Sequence, residues 1–402
     1  MTESNTLDDI FDSFLEAPTI FARREVLSSS FVPDNLPHRE QQIRELGQIL
    51  ASALRGATPS NIFVYGKTGT GKTAVIKYVL KGLSSRAGGR GFQLSTSYMN
   101  CRVVDSNYRL LANLCGDMKI NVPFTGLPTD EVYSRFCNGL ENQKGLFILV
   151  LDEVDALVKK SGNETLYNLT RINTTLTNAR VSLIGISNDL RFKDYLSPRV
   201  LSSLSEEEIV FPPYTAQEIN DILLERAKTG FQEGVLDPGV CSLIAAYAAR
   251  EHGDARRAID LLRVAGEICE RKGANKVMEE DVKTAKATIE TNSINQVIGT
   301  LPLQSKIVLT SAYLMNKNNN KITTGDLLTQ YTSICKEIGI EALSQRRVSD
   351  LINELDMLGI INARVVSQGR HGRTKNISIA VPEADVQSAL QPNRYLRAYV
   401  TE

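Results

Sequence analysis

Short apolar runs alternate with helical patterns over the first half of the chain. An unbroken apolar run is typical of a strand that is buried on both faces, as in a parallel sheet. The helical patterns between the runs supply the crossover connections that parallel strands need. We therefore predict an α/β fold with a parallel sheet, whose strands cover residues 61–65, 94–101, 147–151, 181–187 and 208–211.

The pattern becomes wholly helical after the double proline at 212–213. Thr215 and Glu218 have the spacing of a capping box, which predicts the start of a helix. A second helix is expected over residues 238–251, and Asp254 is expected to cap a third. This change of pattern predicts an all-α domain after the sheet.

The C-terminal quarter of the chain shows a third pattern, in which three helices precede two strands. The clearest helix begins after Ser344 as its cap and ends at Gly359. The two strands, at 360–366 and 376–381, flank a turn at 367–373. Three helices followed by a hairpin describe a winged helix-turn-helix domain.

The composition is that of an ordinary globular protein, with 42% hydrophobic and 23% charged residues. No apolar run approaches the roughly 18 residues that a membrane helix needs. The acidic start of the chain lacks the features of a secretory signal, so a cytoplasmic location is expected. Six cysteines without any C-x-x-C pair argue against a disulfide framework or a zinc ribbon, and we expect them to be buried as small hydrophobes.

The formal net charge is zero, which disfavours a protein that coats nucleic acid through bulk electrostatics. The charge is uneven, however. Residues 300–402 hold twelve Lys and Arg against nine Asp and Glu, a surplus of three, and residues 361–380 hold four basic residues and no acid. Any contact with nucleic acid is therefore expected in the C-terminal region.

Residues 66–73 read Gly-Lys-Thr-Gly-Thr-Gly-Lys-Thr directly after a predicted strand. The glycines allow a tight turn whose N–H groups point inward, and a helix beginning near Lys72 would aim its positive end at a phosphate chain. Lys72 would reach the β and γ phosphates, and the Thr73 hydroxyl would hold Mg²⁺. The alternative, a flexible glycine turn, is disfavoured by the preceding strand. We predict a nucleoside triphosphate site contacted by Gly66, Lys67, Thr68, Gly69, Thr70, Gly71, Lys72 and Thr73.

Polar side chains follow the third and fourth predicted strands, at the sheet edge where the phosphate-binding loop is also expected. Asp152 is suited to the magnesium shell, and Glu153 to orienting and deprotonating an attacking water. Asn188 could hold that water or the γ phosphate, although turn geometry alone could also select an asparagine there.

Three arginines extend this picture. Arg199 follows Pro198 and could serve a neighbouring subunit as an arginine finger, with a solvated surface arginine as the alternative. Arg256 and Arg257 lie in the first turn of a predicted helix, where the macrodipole disfavours cations. A bound phosphate is expected to compensate Arg256, and nearby acids Arg257.

The first turn of the predicted recognition helix and the wing are basic. Major-groove readers present that end of the helix to DNA, although winged helices also dock proteins and basic loops are often only solvated. The expected DNA contacts are Gln345, Arg346 and Arg347 on the helix and Arg370, His371, Arg373 and Lys375 on the wing.

Taken together, these motifs resemble the archaeal replication initiator family, relatives of the largest origin recognition complex subunit and of cell division control protein six. The resemblance covers nearly the whole chain and rests on residues 36–40, 66–73, 152–155, 185–189, 197–200 and 253–257. It implies an AAA+ α/β P-loop domain at 1–213, an all-α lid domain at 214–295 and a C-terminal winged helix-turn-helix domain at 296–402.

The resemblance also implies roles for individual residues. It makes Asn188 a sensor-one residue, Arg199 the finger and Arg256 a sensor-two arginine. Residues 122–127 resemble the family's initiator-specific insertion, which touches duplex DNA. Ser197 stands where the family often has Asp, and the wing turn differs among members in length and charge. The resemblance adds Pro37, His38, Arg39 and Tyr214 to the expected nucleotide contacts and Thr125 and Gly126 to the expected DNA contacts.

The expected function is that of an ATP-dependent replication initiator, with ATP or ADP and Mg²⁺ as cofactors and slow hydrolysis as a switch. Its expected partners are double-stranded origin DNA, a replicative helicase of the minichromosome maintenance type and paralogous initiators, with no membrane. A nucleoid-associated protein of the cytoplasm is implied. Two alternatives stay open at this point, a DNA motor of the branch-migration helicase type and an ATP-gated winged-helix transcription regulator.

Overall fold

The computed structural model describes residues 19–89, 92–104, 106–123, 125–204, 207–317, 322–367 and 373–400. The chain divides into two compact units, one ending at Val282 and the other beginning at Lys283. The domain boundaries predicted after residues 213 and 295 stay predictions. Among the described helices, none is long and apolar enough to span a membrane.

A five-stranded parallel sheet lies at the centre of the first unit, with the strand order β2-β3-β4-β1-β5. All five predicted strands are present, and their ends differ from the prediction by at most two residues. The strands are β1 (Ile62–Tyr65), β2 (Leu94–Asn100), β3 (Gly145–Asp152), β4 (Ala179–Ser187) and β5 (Glu207–Val210).

Helices cover both faces of this sheet, which explains its unbroken apolar runs. Ile148 and Val150 of β3 pack with the helices of one face, whereas Leu149 and Leu151 pack on the other, as the alternation along a strand requires. The first face is covered by α1 (Glu40–Ala51) and α2 (Lys72–Gly88). The second is covered by α3 (Asn107–Asp117), α4 (Thr129–Gln143), α5 (Val154–Ser161), α6 (Glu164–Thr170) and α7 (Pro198–Leu204).

The predicted all-α region follows β5. It comprises α8 (Ala216–Gly230), α9 (Gly239–Arg250), α10 (Ala255–Arg271) and α11 (Glu279–Thr300). The capping box is formed, because the Thr215 hydroxyl accepts from the Glu218 N–H and the Glu218 carboxylate accepts from the Thr215 N–H. Asp254 caps α10 through the Arg257 N–H. Both predicted helix starts are therefore confirmed.

The N-terminal segment is fastened to these helices. The Ala22 N–H donates to the Gly230 carbonyl at 2.9 Å, and the Phe21 and Phe231 rings lie 5.0 Å apart. Short 3-10 turns occur at Arg24–Leu27, Ser52–Arg55, Ile172–Thr174 and Phe192–Tyr195.

The second unit contains the winged helix-turn-helix. Its elements are α12 (Leu303–Lys317), β6 (Ile322–Thr323), α13 (Thr324–Glu337), α14 (Gln345–Met357), β7 (Ile361–Ser367), β8 (Arg373–Ile379), α15 (Glu383–Leu390) and α16 (Arg397–Val400). The three strands form an antiparallel sheet in the order β6-β8-β7.

The predicted order of three helices and two strands is confirmed, but the sequence pattern did not predict three further elements of this unit. β6 has only two residues, too few for a period to appear. The short helices α15 and α16 follow the hairpin and pack Val386, Leu390 and Val400 into the core of this unit. β8 begins three residues before its predicted start, because its polar first residues pair with β7 instead of entering the core.

All six cysteines are free. Five are buried and Cys137 is half-buried, which agrees with their predicted role as small core residues.

Candidate functional site

The phosphate-binding loop at 66–73 connects β1 to α2 at the carboxyl edge of the sheet. Gly69 has a φ of 73°, and a Cβ there would lie 1.8 Å from the Asp254 Oδ1 and 2.9 Å from the Asp254 Cα. Gly71 has a φ of 88°, and its Cβ would lie 2.7 Å from the Tyr214 hydroxyl. The Ala255 N–H donates to the Gly69 carbonyl at 3.2 Å. The loop is thus packed against the start of α10 so closely that only glycine fits.

Lys72 opens α2 and is buried. Its Nζ donates to the Gly66 and Lys67 carbonyls, each at 2.7 Å. Burial lowers the pKa of this amine to about 8, while the Asp152 carboxylate opposes that shift. An ammonium group has three donors, so one can be directed to a phosphate oxygen. A buried cation with this geometry is suited to an anionic ligand.

Asp152, at the end of β3, is held by three donors. The Thr73 hydroxyl donates to its Oδ2 at 2.8 Å, the Tyr98 hydroxyl donates to the same oxygen, and the Glu153 N–H donates to its Oδ1 at 2.8 Å. Asp152 is only 6% exposed. Burial raises the pKa of Tyr98, and its hydrogen bond to Asp152 adds to that rise, so the phenol is a neutral donor.

The fit to Mg²⁺ follows from the chemistry of these oxygens. No group of three or more His, Cys, Asp or Glu in the described part of the chain could hold a metal ion. A magnesium ion that accompanies a nucleotide needs fewer protein ligands, since one or two carboxylates plus phosphate oxygens and waters complete its shell. The Asp152 carboxylate and the Thr73 hydroxyl fit that requirement.

Glu153 and Asn188 meet at the same edge. The Asn188 amide donates to the Glu153 Oε1 at 3.4 Å, and the Arg102 guanidinium lies 4.0 Å from the Glu153 Oε2. Glu153 has a φ of 53°, an uncommon backbone conformation for a residue other than glycine. Such strained positions cluster at functional sites.

Arg39 is almost fully buried, at 2% exposure, and its donors reach backbone oxygens. Its guanidinium donates to the carbonyls of Thr70, His38 and Pro212 at 2.9, 2.9 and 2.7 Å, and it lies 3.6 Å from the centre of the Tyr214 ring. Burial lowers the pKa of Arg39. This side chain therefore supports the phosphate-binding loop by donating to the Thr70 carbonyl.

His38 lies beside Arg39 and has a positive φ of 61°. Its Nε2 is 2.9 Å from the Asp221 carboxylate of α8. This contact ties the segment before α1 to the all-α region.

A cleft of about 630 Å³ opens in front of the loop, a volume typical of small-molecule sites. One wall is the segment 28–37, which Arg226 of α8 holds by donating to the carbonyls of Val26 and Phe31 at 2.9 and 3.2 Å. Of the predicted nucleotide contacts, those that line the cleft are Pro37, Thr68, Gly69, Thr70, Gly71, Lys72, Thr73, Tyr214 and Arg256, whereas His38, Arg39, Gly66 and Lys67 do not line it.

The three predicted arginines have different surroundings in the structure. Arg256 is exposed and lines the cleft. Arg257 pairs with Glu251 at 2.8 Å, as expected for an arginine compensated by an acid. Arg199 is exposed in the first turn of α7 and does not line the cleft.

The predicted DNA contacts are described in part. Gln345, Arg346 and Arg347 are exposed in the first turn of α14, which Ser344 caps, and Arg347 lies 3.9 Å from Asp350. Lys375 of β8 donates to the Asn353 side chain of α14. Arg370 and His371 lie outside the described residues, and Arg373 is described only as the first residue of β8. In the first unit, Thr125 and Gly126 are exposed in the loop between α3 and α4.

Sequence reasoning missed Tyr98, Arg102, Arg226 and the wall at 28–37. The position of Tyr98 follows from the register of β2 and β3, which the sequence does not give. Asn100 pairs with Asp152, so the side chain two residues earlier lies on the same face as Asn100.

Comparisons with known proteins agree with this architecture. The chain matches the family models of an AAA ATPase domain at residues 35–184, the Cdc6 AAA+ ATPase-type lid domain at 220–287 and the CDC6 C-terminal winged helix domain at 296–389. It is 54% identical to the ORC1-type DNA replication protein of Thermococcus onnurineus, over 99% of this chain and 97% of the relative. It is 50% identical to ORC1-type DNA replication protein 1 of Methanosarcina mazei, over 100% of this chain and 97% of the relative.

Among solved structures, the Aeropyrum pernix ORC1 protein in complex with DNA is similar to this chain. The TM-score is 0.86 at 47% identity, over 94% of this chain and 98% of that one. The similarity to this solved structure therefore extends over the sheet, the all-α region and the winged helix, at 47% sequence identity. The chain belongs to the ORC1-type DNA replication proteins, a family of AAA+ ATPases.

Proposed function

We propose that this protein is a DNA replication initiator that binds origin DNA and uses bound ATP or ADP as a switch. The observation that carries the proposal is the likeness to the Aeropyrum pernix ORC1 protein in complex with DNA. The likeness covers 94% of this chain, so it includes most of both units. The similar proteins are DNA replication proteins, which does not favour a motor or a transcription regulator.

The cleft supports a nucleoside triphosphate as the switch ligand. Residues 68–73 would hold the phosphate chain through loop N–H groups, Lys72 would neutralise the β and γ phosphates, and Arg256 would contact a phosphate from the lid side. Thr73 and Asp152 would hold Mg²⁺, which supplies charge neutralisation on the phosphates. Gly69 packs against Asp254 and accepts a hydrogen bond from the Ala255 N–H. A phosphate bound at the loop would therefore act directly on the start of α10.

Hydrolysis would be carried out by Glu153, which orients and deprotonates the water while Asn188 holds the Glu153 carboxylate. Arg199 lies outside the cleft, so it would act as a finger on the nucleotide of a neighbouring molecule. Weak turnover by a single chain is the expected consequence, because a finger in trans accounts for factors of about 10³ to 10⁵ in rate.

DNA would be contacted by Gln345, Arg346 and Arg347 in the first turn of α14 and by the wing. Thr125 and Gly126 would add a second contact from the first unit. The side chains of the first turn of α14 and the loop residues Thr125 and Gly126 are exposed, which supports their assignment. A replicative helicase of the minichromosome maintenance type and paralogous initiators are proposed as partners, on the basis of the family resemblance.

The proposal is tested by ATP retention and by footprinting. Lys72→Ala should abolish retention of labelled ATP on a filter, whereas Arg86→Ala on the same helix should retain it, since Arg86 is exposed and donates within α2. A footprint on DNA flanking the gene should show one or a few protected elements. Full retention by Lys72→Ala would refute the nucleotide site, and uniform protection along the DNA would refute origin recognition.

A further inference from the structure

Tyr98 donates a side-chain hydrogen bond to Asp152, although it belongs to neither the phosphate-binding loop motif nor the polar residues that end the strands. It lies on β2, is 37% exposed and lines the cleft. Its hydroxyl donates to the Asp152 Oδ2, the same oxygen that accepts from Thr73. A tyrosine used only for packing would hide its ring in a core, but this one directs its hydroxyl at a buried carboxylate.

The geometry points to Tyr98 as a positioning residue for the Mg²⁺ that accompanies the nucleotide, a role that rests on the proposed function. The terminal torsion of an aspartate is soft, so a carboxylate without partners samples many orientations. Here three donors from three places fix it, namely Thr73 from α2, Tyr98 from β2 and the Glu153 N–H. The carboxylate plane is therefore set by the protein before any ligand is bound.

Tyr98 is itself held in place. The Lys77 ammonium of α2 lies 4.6 Å from the centre of its ring, within the range of a cation–π contact. β2 is hydrogen-bonded to β3 along its whole length, so the phenol and the carboxylate are carried by paired strands. The phenol oxygen also keeps lone pairs that can accept from a metal-bound water.

The expected change in Mg²⁺ affinity follows from the effect of comparable residues at other metal sites. Partners that orient a metal ligand typically contribute 10 to 100-fold in metal affinity, and we expect about tenfold here because Thr73 and the Glu153 N–H remain. Losing the hydroxyl should raise the Mg²⁺ concentration that gives half-maximal enhancement of nucleotide binding. It should leave nucleotide affinity without Mg²⁺ unchanged, because the phenol donates to Asp152 and not to the phosphate-binding loop.

The test is calorimetric titration of ADP into wild-type protein, Tyr98→Phe and Tyr133→Phe, in EDTA and over a series of Mg²⁺ concentrations. Tyr133 is the matched control, since its hydroxyl donates to the Asn168 carbonyl at 3.2 Å and it does not line the cleft. We expect the half-maximal Mg²⁺ concentration to rise about tenfold in Tyr98→Phe only. ATP turnover of that variant should recover as Mg²⁺ is raised.

A variant with 4-aminophenylalanine at position 98 restores a donor on the same ring, and it should respond to Mg²⁺ like the wild type. A wild-type Mg²⁺ response in Tyr98→Phe would overturn the inference. So would an equal loss of ADP affinity with and without Mg²⁺, which would mean that the ring only shapes the cleft. If wild-type protein bound no nucleotide at all, the proposed function itself would fail, and that outcome is distinct from the other two.

Discussion

Raising the pH from 7.5 to 9.5 should weaken ADP binding, and the reason is the burial of Lys72. Burial lowers the pKa of this amine to about 8 from its ordinary value of 10.5, so the amine loses its proton within this range. A bound phosphate chain favours the charged form and raises the pKa again. Binding therefore takes up a proton, and the affinity is full at neutral pH and falls as the pH rises above 8.

The size of the effect follows from the protonated fraction of Lys72. With a pKa of about 8, that fraction falls from about 0.76 at pH 7.5 to about 0.03 at pH 9.5, which corresponds to an affinity loss of about 25-fold or about 2 kcal/mol. Phosphate groups have a second pKa near 6, so they are almost fully ionised throughout this window and contribute little. Burial also raises the pKa of the Cys101 thiol to about 12 and raises the pKa of Tyr98, which keeps both groups protonated throughout.

The assay is calorimetric titration of ADP at several pH values, in two buffers of different ionisation enthalpy. At pH 9 the difference between the buffers should report uptake of about 0.9 proton per ADP. Lys72→Arg is the control, because a guanidinium stays charged throughout and its weaker binding should be independent of pH. Equal affinity of the wild type at pH 7.5 and 9.5, or no proton uptake at pH 9, would refute the reasoning.

Three further predictions follow from contacts of the site. Gly69→Ala should reduce ATP affinity at least tenfold and lower the free energy of unfolding by about 2 kcal/mol, because its Cβ would overlap the Asp254 cap at a φ of 73°. Arg39→Ala should lower the free energy of unfolding in urea by about 2–4 kcal/mol, since it removes three charged hydrogen bonds to backbone carbonyls. Arg346→Ala combined with Arg347→Ala should weaken DNA binding and flatten the slope of log affinity against log salt by about 1.8, as expected for two lost phosphate contacts.

Gly69→Ala and the double arginine variant have matched controls, and Arg39→Ala has a threshold that would contradict its prediction. Gly88→Ala, at the end of α2, introduces a Cβ with no neighbour within 4 Å, so it should leave ATP affinity unchanged and should not lower the free energy of unfolding, since alanine is the better helix former. If Arg39→Ala lowers the free energy of unfolding by less than about 1 kcal/mol, the prediction is wrong, because water then replaces the hydrogen bonds that Arg39 made. Lys336→Ala combined with Arg394→Ala removes the same charge from exposed positions of the second unit, and an equal change of the salt slope would contradict a local contact at α14.

The parts of the site that the sequence predicts are those encoded by neighbouring residues. The phosphate-binding loop directly follows β1, Asp152 and Glu153 lie at the end of β3, and Asn188 directly follows β4; parallel strands bring their carboxyl ends to one edge. The capping residues Thr215 and Asp254 are local for the same reason. These features needed no knowledge of long-range packing.

The parts that the sequence did not predict depend on contacts between distant segments. Arg39 donates to the carbonyls of Thr70 and Pro212, which only the folded chain brings close to it, and its predicted contact with the nucleotide stays a prediction. Tyr98 reaches Asp152 across 54 positions, and Arg226 holds Val26 across 200. A hydrophobic pattern reports which face of an element is buried, but it does not report which partner a polar side chain finds there.

The wall at 28–37 has a consequence for how long a nucleotide stays bound. This segment is attached to the all-α region through Arg226, through the Asn35 amide on Glu225 at 2.9 Å, and through the Ala22 N–H on the Gly230 carbonyl. The phosphate-binding loop, by contrast, grows out of the sheet. The two sides of the cleft are therefore carried by different elements of the first unit, and a nucleotide that contacts both would link the helices to the sheet. Its dissociation would then require the contacts on both sides to break.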